Sequence, residues 1–167
     1  DTWHWGEQAE REFAQILHQP NTRTAELIQA LRRLLAETDL MAYLVIMTNR
    51  LLEMHRVLKA TGSLYLHCDP TASHYLKILP DAVFGKANFQ NEVTWKRTGV
   101  HGDSKTWSRV SDKIFFFTKS NKFTWNTPYE AHSEKYIDSH YSNTDPDGRQ
   151  FQLTSILSPS PRPNMMY

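Results

Sequence analysis

GSLYLHCDPTASHYLKILPDAVFGKANFQNEVTWKR, residues 62–97, runs through three patterns without a gap. After Gly62 an apolar run, residues 63–68, ends at Asp69-Pro70, as a buried strand of a parallel sheet does. A helical stretch follows, with Tyr75, Leu79 and Val83 on one face and Gly85 as its stop signal. In residues 91–97, Val93, Trp95 and Arg97 alternate with Glu92, Thr94 and Lys96, which reads as a second strand carrying basic residues onto an aromatic. Strand, helix, strand predicts an α/β fold. Ligands of open α/β sheets sit beyond the carboxyl ends of strands, so Cys68-Asp69-Pro70 marks the expected edge of a pocket.

Working outward, three helices are expected before the first strand. Residues 7–18 place Ala9, Phe13, Ile16 and Leu17 on one face and stop before Pro20. Residues 24–36 repeat the pattern with Leu27, Leu31 and Leu34, with Thr24 as the cap. Residues 39–59 carry Leu40, Leu44, Met47, Leu51, Met54 and Leu58 at spacings of four and three, the stripe of a long helix laid on a sheet. After Arg97, residues 98–111 hold two glycines and no apolar period, and a loop of that length inside a compact domain is often functional. Residues 112–118, with Ile114, Phe115, Phe116 and Phe117, read as a strand covered on both faces and paired antiparallel with residues 92–96. Residues 123–125 are expected to add a short strand. From Asn126 the sequence is polar and rich in turn formers, and prolines stand at 159, 161 and 163.

The 167 residues suffice for one cored domain. A single cysteine, Cys68, excludes an intramolecular disulfide and points to a reducing compartment. The longest apolar run, residues 40–47, falls far short of the roughly 20 residues of a membrane span, so no membrane association is expected. A net charge of +1 is uninformative, but its distribution is not. Residues 1–62 hold seven Lys/Arg against eight Asp/Glu, whereas residues 92–122 hold seven (Lys96, Arg97, Lys105, Arg109, Lys113, Lys119 and Lys122) against three. Interleaved with Trp95, His101 and Trp107, that local excess is the footprint of a surface facing phosphates and bases, or else of a plain solvated loop.

The wording of these elements resembles a family. Gly-Ser-Leu-Tyr-Leu-His-Cys-Asp from Gly62, the Val-Phe-Gly ending at Gly85, Asn88-Phe89 and Asn-Glu-Val-Thr-Trp-Lys-Arg from Asn91 resemble the middle of the amino-group DNA methyltransferases of restriction-modification systems, above all the adenine-N6 members related to type III modification subunits. Residues 1–13 and 110–126 resemble the flanking segments of those enzymes. The resemblance implies part of a Rossmann-like S-adenosylmethionine-dependent methyltransferase sheet with flanking helices and an antiparallel hairpin. Residues 1–125 would be a partial catalytic domain and residues 126–167 the start of a target-recognition region. It also implies S-adenosylmethionine as cofactor, double-stranded DNA as substrate and a restriction subunit as partner; the cytoplasmic location expected follows from the lone cysteine and the lack of a membrane-length run. The reaction implied is direct transfer to the exocyclic amine of a flipped adenine, cytosine N4 being the other target of the family, without a covalent enzyme intermediate.

The family's two signature motifs are an Asp/Asn/Ser-Pro-Pro-aromatic tetrapeptide at a strand end and a glycine-rich turn for the cofactor. Asp69-Pro70-Thr71-Ala72 lacks the second proline and the aromatic, and Asn126-Thr127-Pro128-Tyr129 comes close without a buried parallel strand before it. The resemblance places both motifs outside these residues, so no catalytic residue and no cofactor-binding residue is assigned. His67, Asp69 and Pro70 are expected to border the active site, with helix capping as the plainer role of Asp69 and a hydrogen-bonded core histidine as that of His67. Trp95, Lys96, Arg97, His101, Lys105 and Arg109 are the expected DNA contacts, and packing of Trp95 on Phe115 and Phe117 is the rival reading of that ring. His67, Cys68 and His74 lack paired ligand spacing, so no metal site is expected. Two rivals to an enzyme remain: a non-catalytic DNA-binding module using the basic surface between Lys96 and Lys122, and a regulatory element binding a partner through the helix of residues 40–58.

Overall fold

A computed structural model describes residues 3–99 and 105–155. The described residues divide into two units, Asp1–Trp125 and Asn126–Tyr167. The first opens with three helices, α1 (Glu7–Leu17), α2 (Thr22–Leu35) and α3 (Asp39–Val57). Helix α2 starts two residues before the expected Thr24 because Asn21, not Thr24, is its cap: the Thr24 N–H donates to Asn21 Oδ1 at 3.1 Å. Thr24 is instead buried on the inner face. Thr38 caps α3 in the same way through the Met41 N–H. Helix α3 ends at Val57, and its buried face is wider than the expected stripe, with Met41, Ala42, Val45, Ile46 and Thr48 enclosed beside Leu44, Met47 and Leu51. Leu34, expected on the inner face of α2, is 73% exposed.

Strand β1 (Ser63–Cys68) follows, then helix α4 (Ser73–Pro80), which runs on through a π-turn, Asp81–Gly85, into a 3-10 turn, Lys86–Asn88. Gly85 has φ +89°, the left-handed geometry that ends a helix and that glycine adopts without strain. Strands β2 (Phe89–Lys96) and β3 (Ser111–Thr118) complete a three-stranded sheet in the order β1-β3-β2. The expected hairpin of β2 and β3 is present, with Trp95 opposite Asp112 and Val93 opposite Ile114.

Strand β1 departs from expectation. It pairs antiparallel with β3, Leu66 opposite Phe115 and His67 opposite Ile114, and does not lie in a parallel ladder among the described residues. The reason is the demand of β3 itself. A strand apolar along its length gains most from neighbours on both edges, and β3 takes the place between β1 and β2. Since both flanking strands run against β3, β1 and β2 point the same way. The sheet described is thus a small antiparallel one within a mixed helix and strand fold. Residues 123–125 form no strand, although the Thr124 N–H reaches the Thr61 carbonyl at 3.4 Å.

The two faces of the sheet differ. One carries Leu64, Leu66, Cys68, Phe115 and Phe117 into a core shared with Leu44, Leu51, Leu76, Leu79 and Phe84. The other carries Tyr65, His67, Val93, Trp95 and Phe116. There Tyr65 stacks on Phe116 with centroids 4.5 Å apart, and Trp125 lies 5.8 Å from Phe116 on a near-parallel plane. Tyr65 and Trp95 stay more than half exposed, so β1 is not buried on both faces as its apolar run predicts.

The second unit holds α5 (Glu134–His140) and a two-stranded ribbon, β4 (Asn143–Thr144) with β5 (Gln150–Phe151), turned by Asp145 and by Gly148 at φ +81°. Among the described residues no helix is long and apolar enough to cross a membrane.

Candidate functional site

The carboxyl end of β1 opens onto a cleft of about 490 Å³ between that strand, the start of α4 and the start of α3, with Trp3, Asp39, Tyr43, Cys68, Asp69 and Thr71 in its wall. Asp69 and Pro70 stand where the sequence places them, at a pocket edge. The Asp69 carboxylate accepts from the Thr71 N–H at 3.0 Å and the Ala72 N–H at 3.4 Å, so it holds the turn between strand and helix. Helix α4 begins only at Ser73, and Pro70 is therefore not its first residue. Trp3 and Tyr43 form the aromatic wall, their rings 5.6 Å apart, with the Arg50 guanidinium over Trp3. Sequence reasoning passed over Trp3, Asp39 and Tyr43 because they come from segments distant in the chain. Burial, followed by the neighbouring Cys68 and Asp69, raises the Tyr43 phenol above its ordinary value. Burial pushes the Cys68 thiol up to about 11, which removes it as a nucleophile at neutral pH.

His67 does not share that cleft. Strand alternation turns it to the opposite sheet face, where its Nε2 lies 3.0 Å from Asp112 Oδ2. A carboxylate only accepts, so the ring proton of this tautomer sits on Nε2. Arg97, just past β2, brings Nη1 within 3.3 Å of Asp112 Oδ1. That contact is an ion pair by distance but lacks hydrogen-bond alignment, and Oδ1 has no hydrogen-bond partner among the described residues. The Asp112 side chain is 7% exposed, whereas that of His67 is 62% exposed. Trp95 stands directly across from Asp112 on the same face and is 58% exposed. Phe115 and Phe117 lie on the other face, so the packing of Trp95 against them is overturned. His67, Trp95, Asp112 and Ile114 line a shallow depression of about 290 Å³. One residue of the expected active-site border and two of the expected DNA contacts thus meet on one buried acid that sequence reasoning counted only as a charge. The signal was there: Asp112 is the lone acid at the head of the Ile-Phe-Phe-Phe run.

The basic surface is smaller than the count of charges implies. Lys113 pairs with Glu92 and donates to Thr94 at 3.1 Å. Lys119 turns inward and donates to the carbonyls of His55 and Leu58 at the end of α3, at 2.6 and 2.7 Å. Arg97 is held by Asp112, and Arg109 reaches Thr71 Oγ1 at 3.4 Å, which brings the long loop beside the cleft. Lys96 and Lys105 are exposed. His101 lies outside the described residues. Asn126, Thr127, Pro128 and Tyr129 are exposed and follow no strand, so they lack the context of a catalytic tetrapeptide. Among the described residues the glycines in the left-handed region are Gly85, between two helical turns, and Gly148, in the ribbon turn. Neither follows a strand into a helix, so no described turn fits the cradle that a nucleoside cofactor needs.

Residues 29–162 match the model of a DNA methylase family. The chain belongs to this amino-methyltransferase family of restriction-modification type. It is similar to the type II methyltransferase M.EcaI of Enterobacter cloacae, 31% identical over 122 residues, which cover 72% of this chain and 27% of that protein. It is similar also to the HindVI Mod subunit of Haemophilus influenzae, named as a probable type III restriction-modification enzyme, at 30% identity over 69% of this chain and 16% of the relative. The StyLTI Mod subunit of Salmonella typhimurium, a type III restriction-modification enzyme, is 30% identical over 60% of this chain and 15% of its own length. The chain thus spans about a quarter or less of the length of these relatives. Within the DNA methylase family match fall the cleft at the end of β1 apart from its Trp3 wall, the Asp112 cluster and the whole of the long loop.

Proposed function

We propose that this chain is part of the catalytic region of a DNA methyltransferase that uses S-adenosylmethionine to methylate the exocyclic amine of adenine. The observation that carries the reading is the meeting of Trp95, Arg97 and His67 on Asp112 at one end of the sheet, within a match to the DNA methylase family. An exposed ring flanked by two nitrogen bases is suited to an unpaired base and its phosphate, and chemistry on a base requires that it leave the stack. Lys96, at the end of β2, and Lys105 add exposed positive charge to this hairpin, and His101 belongs to the same loop. Arg109 links that loop to the cleft edge formed by Asp69 and Pro70, beside which the transferable methyl group would be presented. The sheet of this reading is Rossmann-like and continues from the edge of β1 that bears no partner among the described residues. The names of the Mod relatives favour double-stranded DNA as substrate and a restriction subunit as partner, in the cytoplasm.

The chemistry asks little of the side chains described. Transfer to an amine needs the nitrogen held in line, not a protein nucleophile, and the neutral buried thiol of Cys68 is in keeping with that. Tritiated methyl transfer to DNA by the full-length protein, followed by digestion to nucleosides, tests the reading: N6-methyladenine is the expected product. N4-methylcytosine would move the target base while keeping the enzyme class. The 167-residue chain by itself is expected neither to bind S-adenosylmethionine in calorimetry nor to methylate DNA, since no described strand end carries the tetrapeptide or the cofactor turn. A second reading, a non-catalytic DNA-binding module, is favoured by that same want of a cradle. Salt-sensitive DNA binding by the full-length protein without methyl transfer would establish it.

A further inference from the structure

Asp112 is a carboxylate almost wholly removed from water at the head of the central strand, and it is held in common by groups from the two strands that flank it. On β1, His67 donates to Oδ2. Beyond β2, Arg97 faces Oδ1 without completing a hydrogen bond. A buried carboxylate is tolerated only where its charge is paired, and here both partners stand at the head of the sheet rather than in its core. What it achieves is orientation. The acid fixes the His67 ring with Nε2 turned inward and its other edge toward solvent, and it keeps the Arg97 guanidinium at the rim beside the exposed face of Trp95. The depression between them, about 290 Å³, lies just under the roughly 300 Å³ at which ligand pockets begin, which is room for one flat ring system and not for a nucleotide.

We propose that Asp112 is the positioning residue of a base-stacking subsite: through it, His67 and Arg97 are set so that one unpaired nucleobase lies on Trp95 against the imidazole, with its phosphate on Arg97. This rests on the reading of the hairpin as a DNA-facing surface and adds a residue that contacts no nucleic acid itself. The charge fits the occupant: Arg97 supplies a cation beside the depression, and the acid that lines it, Asp112, is already paired.

The test uses the full-length protein with single-stranded oligonucleotides containing one 2-aminopurine, whose emission reports stacking, beside a salt series that reports phosphate contacts. Trp95→Ala is expected to weaken the stacking signal roughly tenfold in half-saturating concentration, from the worth of one base–aromatic contact. Asp112→Asn keeps the size and loses the charge, and is expected to lose a comparable factor. His67→Ala, on an exposed side chain that should not unfold the protein, is expected to lose a smaller share. The deciding result is the effect of adding Asp112→Asn to the double variant His67→Ala, Arg97→Ala: a residue that acts through its two neighbours adds no further loss once both are gone. Independent, additive losses, or an Asp112→Asn protein with unchanged stacking, would overturn the proposal. If Asp112→Asn fails to fold, the cycle of His67→Ala with Trp95→Ala decides in its place, and strict additivity there overturns the subsite. Loss of all salt-dependent DNA binding in the unaltered protein would instead remove the reading on which the subsite rests. DNA binding with ordinary salt dependence and no stacking signal removes the subsite alone.

Discussion

Asp69, Cys68 and His67 are consecutive, and the structure gives them three different tasks. His67 faces the aromatic side of the sheet, Cys68 the core, and Asp69 the turn into α4. Strand periodicity could tell His67 from Cys68, but nothing in the sequence says which sheet face is the wet one. That depends on Tyr65, Phe116 and Trp125 stacking on one another without covering the face. Because Asp69 already accepts two backbone N–H bonds, Asp69→Asn should keep the turn and lose the charge beside the cleft. A large fall in turnover of the full-length protein with a nearly unchanged melting temperature is expected, and equal turnover would leave Asp69 a residue of the turn only. For Cys68, a shift from 9.0 to about 11 leaves about 100-fold less thiolate near neutral pH. Native protein should therefore react with iodoacetamide at least that much more slowly than protein unfolded in urea. Linkage gives the sign: the folded state holds the thiol proton more tightly, so this contribution to stability is full below pH 9 and is lost as pH rises toward 11. Cys68→Ala should reduce that alkaline loss in urea titrations, leaving the part due to Tyr43.

Elements were easier to read than residues. The four helices and three strands of the first unit were legible because each carries its own period: four and three along α3, two along β2, continuous along β3. What failed was the partner of β1. An apolar run signals that both sides of a strand are occupied but not by what, and it is β3, returning antiparallel along β2, whose free edge takes up β1. Counting charges failed for a related reason, since Lys119 belongs to α3 rather than to the loop surface. Its ammonium closes the last carbonyls of that helix, so Lys119→Met should destabilise the protein by about 1–3 kcal/mol, as for hydrogen bonds to a charged group. It should leave the salt dependence of DNA binding untouched. Lys96→Ala and Lys105→Ala should do the reverse, each reducing the log–log salt slope by about one unit. The same end of α3 carries His55, packed edge-on against Phe84 and held below its ordinary pKa by burial and then by Lys119. Its share of stability is present above pH 6.5 and is lost as pH falls, and His55→Gln should flatten the acid limb of the thermal stability profile.

At the scale of the molecule, the edge of β1 away from β3 has no strand beside it among the described residues, and the aromatic face next to it is half open. An unpaired edge beside exposed rings is a template for another chain. The 167-residue chain by itself is expected to self-associate, measured by light scattering against concentration, and Tyr65→Lys, a charge set next to that edge, should suppress it. The order β1-β3-β2 carries one more consequence, this time for biosynthesis. The strand that joins the other two is made last. As the polypeptide leaves the ribosome, β1 and then β2 emerge with no partner to close on, and both wait until residue 118 has been added before either can form a ladder in this sheet. Helices α1 to α3 face no such delay, because their hydrogen bonds are local. The nascent protein is therefore a helical body trailing two unsatisfied ribbons, and the interval before the central strand arrives is when chaperones would matter most to it.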